Sequence, residues 1–133
     1  MTAERAIYLD SSAIVKLAVR EPESAALRRY LRGRGPLVSS ALARTEVTRA
    51  LLSLGEVAVR RGRDVLGRID LARVNDRVLS AAGTLLPADV RSLDAIHLAT
   101  AQELGSDLAR IVTYDDRMAA AARALGLTVS SPK

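Results

Sequence analysis

Four acidic residues stand where chemistry would be done: Asp10, Glu46, Asp94 and Asp115. Asp10 ends the apolar run Ala6-Ile7-Tyr8-Leu9, and Asp115 follows Ile111-Val112-Thr113, so both are expected just beyond the carboxyl end of a strand. Asp94 falls in the first turn of a helix read as capped by Ser92. Running the apolar stripe Leu104, Ala101, Leu98 back one turn lands on Asp94, which is therefore expected to face the protein. Glu46 is flanked by Leu42, Ala43 and Ala50 beside the apolar stripe of its own helix. Singly, each has a plain structural explanation, since an aspartate at a helix start caps free N–H groups and a glutamate on a helix flank is solvated. Together they ask for more, because a buried carboxylate needs a partner. If the four converge to about 5 Å, each pair repels by roughly 3 kcal/mol at an effective dielectric of about 20. A hard divalent cation answers that repulsion: Mg²⁺ or Mn²⁺ takes carboxylate oxygens and keeps waters for substrate. Such an ion acidifies a bound water and clamps the non-bridging oxygens of a phosphodiester.

The neighbours of these acids have smaller parts. Thr113 and Ser11 could hydrogen-bond and orient the carboxylates, or serve as a strand-end threonine and a capping serine. Asp116 is read as a helix cap. His97, the one histidine, lies about a turn past Asp94; packing or hydrogen bonding is the preferred reading, because a metal-activated water needs no imidazole base. The groups Arg28, Arg29, Arg32, Arg34 and Arg60, Arg61, Arg63 could grip phosphates, but charged helix faces are usually only solvated.

The elements that must position these residues follow from periodicity. A strand at 6–9 leads to a helix with Ile14, Leu17 and Ala18 inside, capped by Ser11 or Ser12. A second helix starts near Pro22, with Ala26, Leu27, Tyr30 and Leu31 on one face. Leu37-Val38-Ser39 is a strand, and residues 41–54 form a helix presenting Ala43, Val47, Ala50, Leu51 and Leu54, followed by another from Glu56 to about Leu66. A short strand at 71–74 precedes a helix capped by Asp76, with Val78, Leu79, Ala82, Leu85 and Leu86 facing inward. After the Ser92 helix, a strand at 111–113 leads to a helix opened by Asp115 or Asp116, and Leu127-Thr128-Val129 closes the sheet. Strands alternating with helices predict an α/β fold: a three-layer α/β/α sandwich with a short parallel sheet, in one domain over 1–133. In such sheets the binding crevice lies beyond the carboxyl ends of the strands, which is where Asp10, Asp94 and Asp115 fall.

Composition narrows the partners. The chain has 133 residues, 20 Lys+Arg against 15 Asp+Glu and a net charge of +5, a weak lean toward an acidic partner such as nucleic acid. With three tyrosines, no Trp and no Phe, it is poorly equipped to stack bases, so nucleic acid would be held by its backbone. The absence of cysteine excludes disulfides and thiolate metal sites and is compatible with a reducing cytosol. The start, Met1-Thr2-Ala3-Glu4-Arg5, lacks a basic segment followed by an apolar run, and no stretch approaches the ~20 apolar residues of a membrane span, so a soluble, unprocessed cytoplasmic protein is expected.

Four segments then align with a known family. Leu9-Asp10-Ser11-Ser12-Ala13, Arg44-Thr45-Glu46-Val47, Leu93-Asp94-Ala95-Ile96-His97-Leu98-Ala99 and Val112-Thr113-Tyr114-Asp115-Asp116-Arg117-Met118 resemble, in order and over nearly the whole chain, the VapC toxins of the PIN-domain superfamily. The resemblance implies that Asp10, Glu46, Asp94 and Asp115 are the metal-binding acids of a Mg²⁺- or Mn²⁺-dependent endoribonuclease. Asp10 and Asp94 would be direct ligands, Glu46 a ligand or the group orienting the attacking water, and Asp115 a ligand or a supporting acid. It also implies neutralisation by a small cognate VapB antitoxin and assembly as a homodimer.

Two other classes of protein share some of these features. A receiver-type phosphoswitch also uses acids at strand ends and Mg²⁺, but it needs a basic group after a later strand, and the only lysines are Lys16 and Lys133. A catalytically silent partner-binding module would use the acids only as caps and the Val57, Val59, Val65 and Leu66 region as its interface.

Overall fold

The computed structural model describes residues 4–133, so Met1, Thr2 and Ala3, part of the start read for a leader, lie outside the described residues. Five strands among these residues form one parallel sheet: β1 (Ala6–Leu9), β2 (Leu37–Ser40), β3 (Asp70–Ala72), β4 (Leu108–Val112) and β5 (Val129–Ser130). Their order is β3-β2-β1-β4-β5, so the chain winds outward in both directions from β1. The order reverses between β1 and β4, and the ends of these two strands flank the crevice that such a reversal opens.

Among the described residues seven α-helices supply the crossovers: α1 (Ser11–Ala18), α2 (Ser24–Leu31), α3 (Ala43–Leu52), α4 (Glu56–Leu66), α5 (Asp76–Gly83), α6 (Ser92–Glu103) and α7 (Asp116–Ala124). The period-2 alternation of the strands sorts the core into two halves. Ile7, Leu9 and Val112 pack with Ile14, Leu27, Val47, Leu51 and Leu66 from α1 to α4. Tyr8, Val38 and Ile111 point the other way, onto Leu98 and Ala101 of α6 and Met118 and Ala122 of α7. This is the three-layer α/β/α sandwich expected from the sequence.

Several local expectations are corrected. Asp10, not Ser11 or Ser12, caps α1, its side chain accepting from the Ala13 N–H. Asp115, not Asp116, caps α7, and Asn75, not Asp76, caps α5. Arg91, not Ser92, holds the N-cap position of α6 and gives no side-chain cap. In α1, α5 and α7 the true cap is the residue still in extended backbone, from which a short side-chain oxygen reaches the second or third amide of the helix. The later strands are shifted from their expected bounds: β3 is Asp70–Ala72 rather than 71–74, β4 is Leu108–Val112 rather than 111–113, and β5 is Val129–Ser130 rather than 127–129. Helix α2 begins at Ser24, two residues past Pro22. Ala50, Leu54, Leu79 and Leu86 were assigned inward and are exposed; α5 is too short and too peripheral to bury more than Val78 fully. Of the 57–66 region, Leu66 is core and Val59 and Val65 pack against it, leaving Val57 exposed. Among the described residues no helix is long and apolar enough to cross a membrane.

Candidate active site

A cleft of about 360 Å³ opens at the carboxyl edge of the sheet, and Asp10, Glu46, Asp94 and Asp115 all line it, with Ser11, Ser12, Arg91 and His97. The four acids come from four elements: the end of β1, the first turn of α3, the first turn of α6 and the loop after β4.

Asp10 is the most deeply set, 4% exposed. Its Oδ1 accepts from the Ser12 hydroxyl at 2.6 Å and the Ala13 N–H at 3.1 Å, and its Oδ2 accepts from the Thr113 hydroxyl. Burial pushes its carboxyl above the usual range, and those three donors, with His97 nearby, pull against the shift without cancelling it. The two hydroxyls also reach the opposite strand end: Ser12 Oγ accepts the Tyr114 N–H at 3.0 Å, and Thr113 Oγ1 accepts the Asp115 N–H at 3.1 Å. Asp10 and Asp115 are thus tied together through the threonine.

Glu46 sits in a second network. Its Oε1 accepts from Ser11 Oγ and from His97 Nε2, each at 2.6 Å, and Tyr8 Oη lies 2.7 Å from His97 Nδ1. A carboxylate only accepts, so the ring proton belongs on Nε2, and Nδ1 accepts the tyrosine hydroxyl. Burial holds the Tyr8 phenol far above its ordinary value, which keeps that hydroxyl a donor. At Glu46, desolvation raises the carboxyl, but the His97 and Ser11 hydrogen bonds outweigh it and hold the group below its ordinary value.

Asp94 and Asp115 share a different partner. Arg91 Nη2 lies 3.1 Å from an oxygen of each, and its Nε is 3.2 Å from Asp94. The other oxygen of Asp115 caps α7 through the Arg117 and Met118 N–H groups.

Each acid singled out in the sequence therefore reaches the same cleft, as do Ser11 and His97, while Thr113 is buried behind Asp10 and bonds it from there. Asp116 is exposed on α7 and does not line it, and the two arginine groups lie on or beside α2 and α4, away from the acids. Sequence reasoning passed over Arg91, Tyr8 and the bridging part of Ser12. Arg91 immediately precedes the helix that carries Asp94, a position from which a long side chain folds back over the first turn, and that was the available signal. Lys16 is engaged with Glu23 at 2.8 Å and lies over the Tyr114 ring, so it does not supply the basic group of a phosphoswitch.

The donor set suits a hard cation, with four carboxylates on one cleft and no cysteine thiolate in the chain to compete. Among the described residues, no three acidic or imidazole side chains are gathered closely enough to hold one ion as they stand. Arg91 instead provides the neutralising charge between two of them.

The PIN domain family model matches residues 7–124, a span that runs from β1 to α7 and includes all four acids. The chain belongs to that family and, within it, to the VapC ribonucleases. It is 68% identical over 127 residues to Ribonuclease VapC46 of Mycobacterium tuberculosis, covering 96% of this chain and 98% of that protein. The fold is shared with the crystal structure of Mycobacterium tuberculosis VapC20, described as a Sarcin-Ricin loop cleaving toxin, at a TM-score of 0.72 and 18% identity, over 86% of this chain and 94% of that one. It is shared equally with a chain of a toxin-antitoxin complex from Klebsiella pneumoniae, at a TM-score of 0.71 and 17% identity, over 96% and 98% of the two chains.

Proposed function

We propose that this protein is an endoribonuclease toxin that cleaves RNA phosphodiester bonds with Mg²⁺ or Mn²⁺ held by Asp10, Glu46, Asp94 and Asp115, and that a VapB-type antitoxin neutralises it. The observation that carries this reading is the meeting of four acids from four separate stretches of sequence in one cleft at the carboxyl edge of the sheet. The 68% identity to a protein named as a ribonuclease supports RNA as the substrate. Likeness to a chain of a toxin-antitoxin complex supports the antitoxin. A homodimer and a cytoplasmic location belong to the same reading.

When bound, the cation supplies an acidified water and charge neutralisation at the scissile phosphate. The chain's own groups do the rest. Ser12 and Thr113 lock the Asp10 carboxylate in one rotamer, which fixes where its free lone pairs point. Ser11 and His97 both bond Glu46 Oε1, leaving Oε2 without a hydrogen bond among the described residues and available to a ligand or to the proton of the attacking water. Asp94 and Asp115, at the N-termini of α6 and α7, stand where each helix's positive end favours a negative group.

The test is cleavage of RNA by purified protein with Mn²⁺, with Mg²⁺ and with excess chelator, alongside Asp10→Asn. The proposal expects cleavage with either ion, none with chelator, and none from the variant. Undiminished cleavage in chelator by a preparation free of other nucleases refutes it.

A further inference from the structure

Among the described residues Arg91 is the one arginine or lysine lining the acidic cleft, and it is not part of the acidic pattern. We propose that it is a built-in, exchangeable counter-cation: its guanidinium neutralises Asp94 and Asp115 until a divalent cation displaces it, so that Arg91 sets how tightly the site takes metal. This rests on the reading of the cleft as a cation site.

The hydrogen-bond distribution at Asp115 makes the exchange necessary. Oδ1 is committed to the fold, since it caps α7 by accepting the Arg117 and Met118 N–H groups at 2.9 and 3.1 Å. Oδ2 is the oxygen left for a ligand, and Arg91 Nη2 holds it at 3.1 Å. The same guanidinium also takes Asp94 Oδ2, through Nε at 3.2 Å and Nη2 at 3.1 Å. A cation engaging these two oxygens must therefore replace Arg91. The replacement is favoured by charge, because one positive charge shared between two carboxylates leaves the pair half neutralised and a divalent ion completes it.

Arg91 is also built to leave. Its backbone is fixed, the carbonyl accepting the Ala95 N–H at 2.8 Å, but its side chain is 59% exposed and reaches the acids from the solvent side. A second cleft of about 480 Å³, walled by Val90, Asp94, Arg117 and Ala121, opens on its other flank and gives the guanidinium room to withdraw. A bridge this exposed adds little to folding, so its consequence falls on ion binding.

The experiment is a calorimetric Mn²⁺ titration of chelator-stripped protein as wild type, Arg91→Gln and Arg117→Gln. Arg117 is the charge control: it lines the second cleft but makes no ion pair with Asp94 or Asp115 among the described residues. We expect Arg91→Gln to bind Mn²⁺ about tenfold more tightly than wild type, the release of two exposed ion pairs, and Arg117→Gln to stay within about twofold. Arg91→Lys, which keeps the charge and loses the planar fork, should fall between wild type and Arg91→Gln, and it serves alone should the glutamine variant fail to fold. Unchanged or weaker Mn²⁺ binding by Arg91→Gln overturns the inference, as does equal tightening by Arg117→Gln, and in either case the cation site stands. No Mn²⁺ binding by any of the proteins overturns the cation-site reading and this inference with it.

Discussion

Replacing His97 with alanine tests whether the imidazole is a support for Glu46 or a catalytic base. His97 is 2% exposed, and its ring stands between Tyr8 Oη and Glu46 Oε1. The alanine variant removes a buried ring and leaves the Tyr8 hydroxyl, itself 0% exposed, without that partner. Truncating a buried ring and orphaning a buried hydroxyl together cost about 4 kcal/mol, a large share of the ~5–15 kcal/mol that holds a domain folded. For a chain of 133 residues the entropy of unfolding is about 0.28 kcal/mol/K, so the melting temperature should fall by about 14 °C. Thermal melts in chelator measure it without any contribution from bound ions. His97→Gln, whose amide can still donate to Glu46, should recover part of the loss and most of the activity at temperatures where it is folded. An alanine variant melting within about 2 °C of the parent would refute the buried-network reasoning. A glutamine variant that is folded and binds Mn²⁺ like the parent, yet is as inactive as Asp10→Asn, would assign His97 to the chemistry itself.

Three further outcomes follow from the geometry. Asp10→Asn should lose cleavage by at least about a hundredfold, the upper end of the roughly 10–100-fold loss typical when only a ligand's supporting partner is disturbed; activity within about tenfold of the parent would remove Asp10 from the reaction. In chelator, Asp10 and Glu46 should pull stability in opposite directions with pH. Asp10, raised in the folded state, contributes stability that is full below its unfolded value near 3.8 and lost as pH rises through the folded value. Glu46, lowered, contributes stability present above its unfolded value near 4.5 and lost as pH falls through the folded value. Between pH 3 and 7 the melting temperature of Asp10→Asn should therefore climb relative to the parent, and that of Glu46→Gln should drop; parallel curves would refute both assignments. Gly35→Ala, remote from the cleft, would set a methyl against the Arg5 backbone carbonyl at the entrance to β1, where no flexible side chain can give way. It should cost roughly 1–3 kcal/mol and lower the melting temperature without changing Mn²⁺ binding, and an unchanged melt would mean the strand entrance is looser than the packing indicates.

The sequence carried the fold well because each half of the core has its own periodic signature. Ile7 and Leu9 against Tyr8 on β1 already separate the two layers, and the Val47–Leu51 and Leu98–Ala101 spacings mark the helices that cover them. It carried α5 poorly, since five apolar residues at helical spacing around 78–86 say nothing about whether a neighbour is there to receive them; Leu79 and Leu86 meet solvent. The four acids were legible from their places at strand ends and on apolar stripes. Ser11 and Thr113 were legible as groups able to orient the acids, but which acid each one holds was not, because Ser11 with Glu46 and Thr113 with Asp10 are 35 and 103 positions apart and no local period encodes such pairings.

The sequence also posed capping and ion binding as rival explanations for Asp10 and Asp115, and the hydrogen bonds show why that choice is a false one. A carboxylate has two oxygens, and in both residues the helix takes only Oδ1: the Ala13 N–H at Asp10, and the Arg117 and Met118 N–H groups at Asp115. Oδ2 is turned to the other network, toward Thr113 in one case and Arg91 in the other. Capping fixes the rotamer that presents the second oxygen to the cleft, so the structural role prepares the chemical one. An asparagine at either position can keep the cap through its single carbonyl oxygen while giving up the charge. That is why Asp→Asn at these sites should preserve the fold and remove the function, whereas Asp→Ala should damage both.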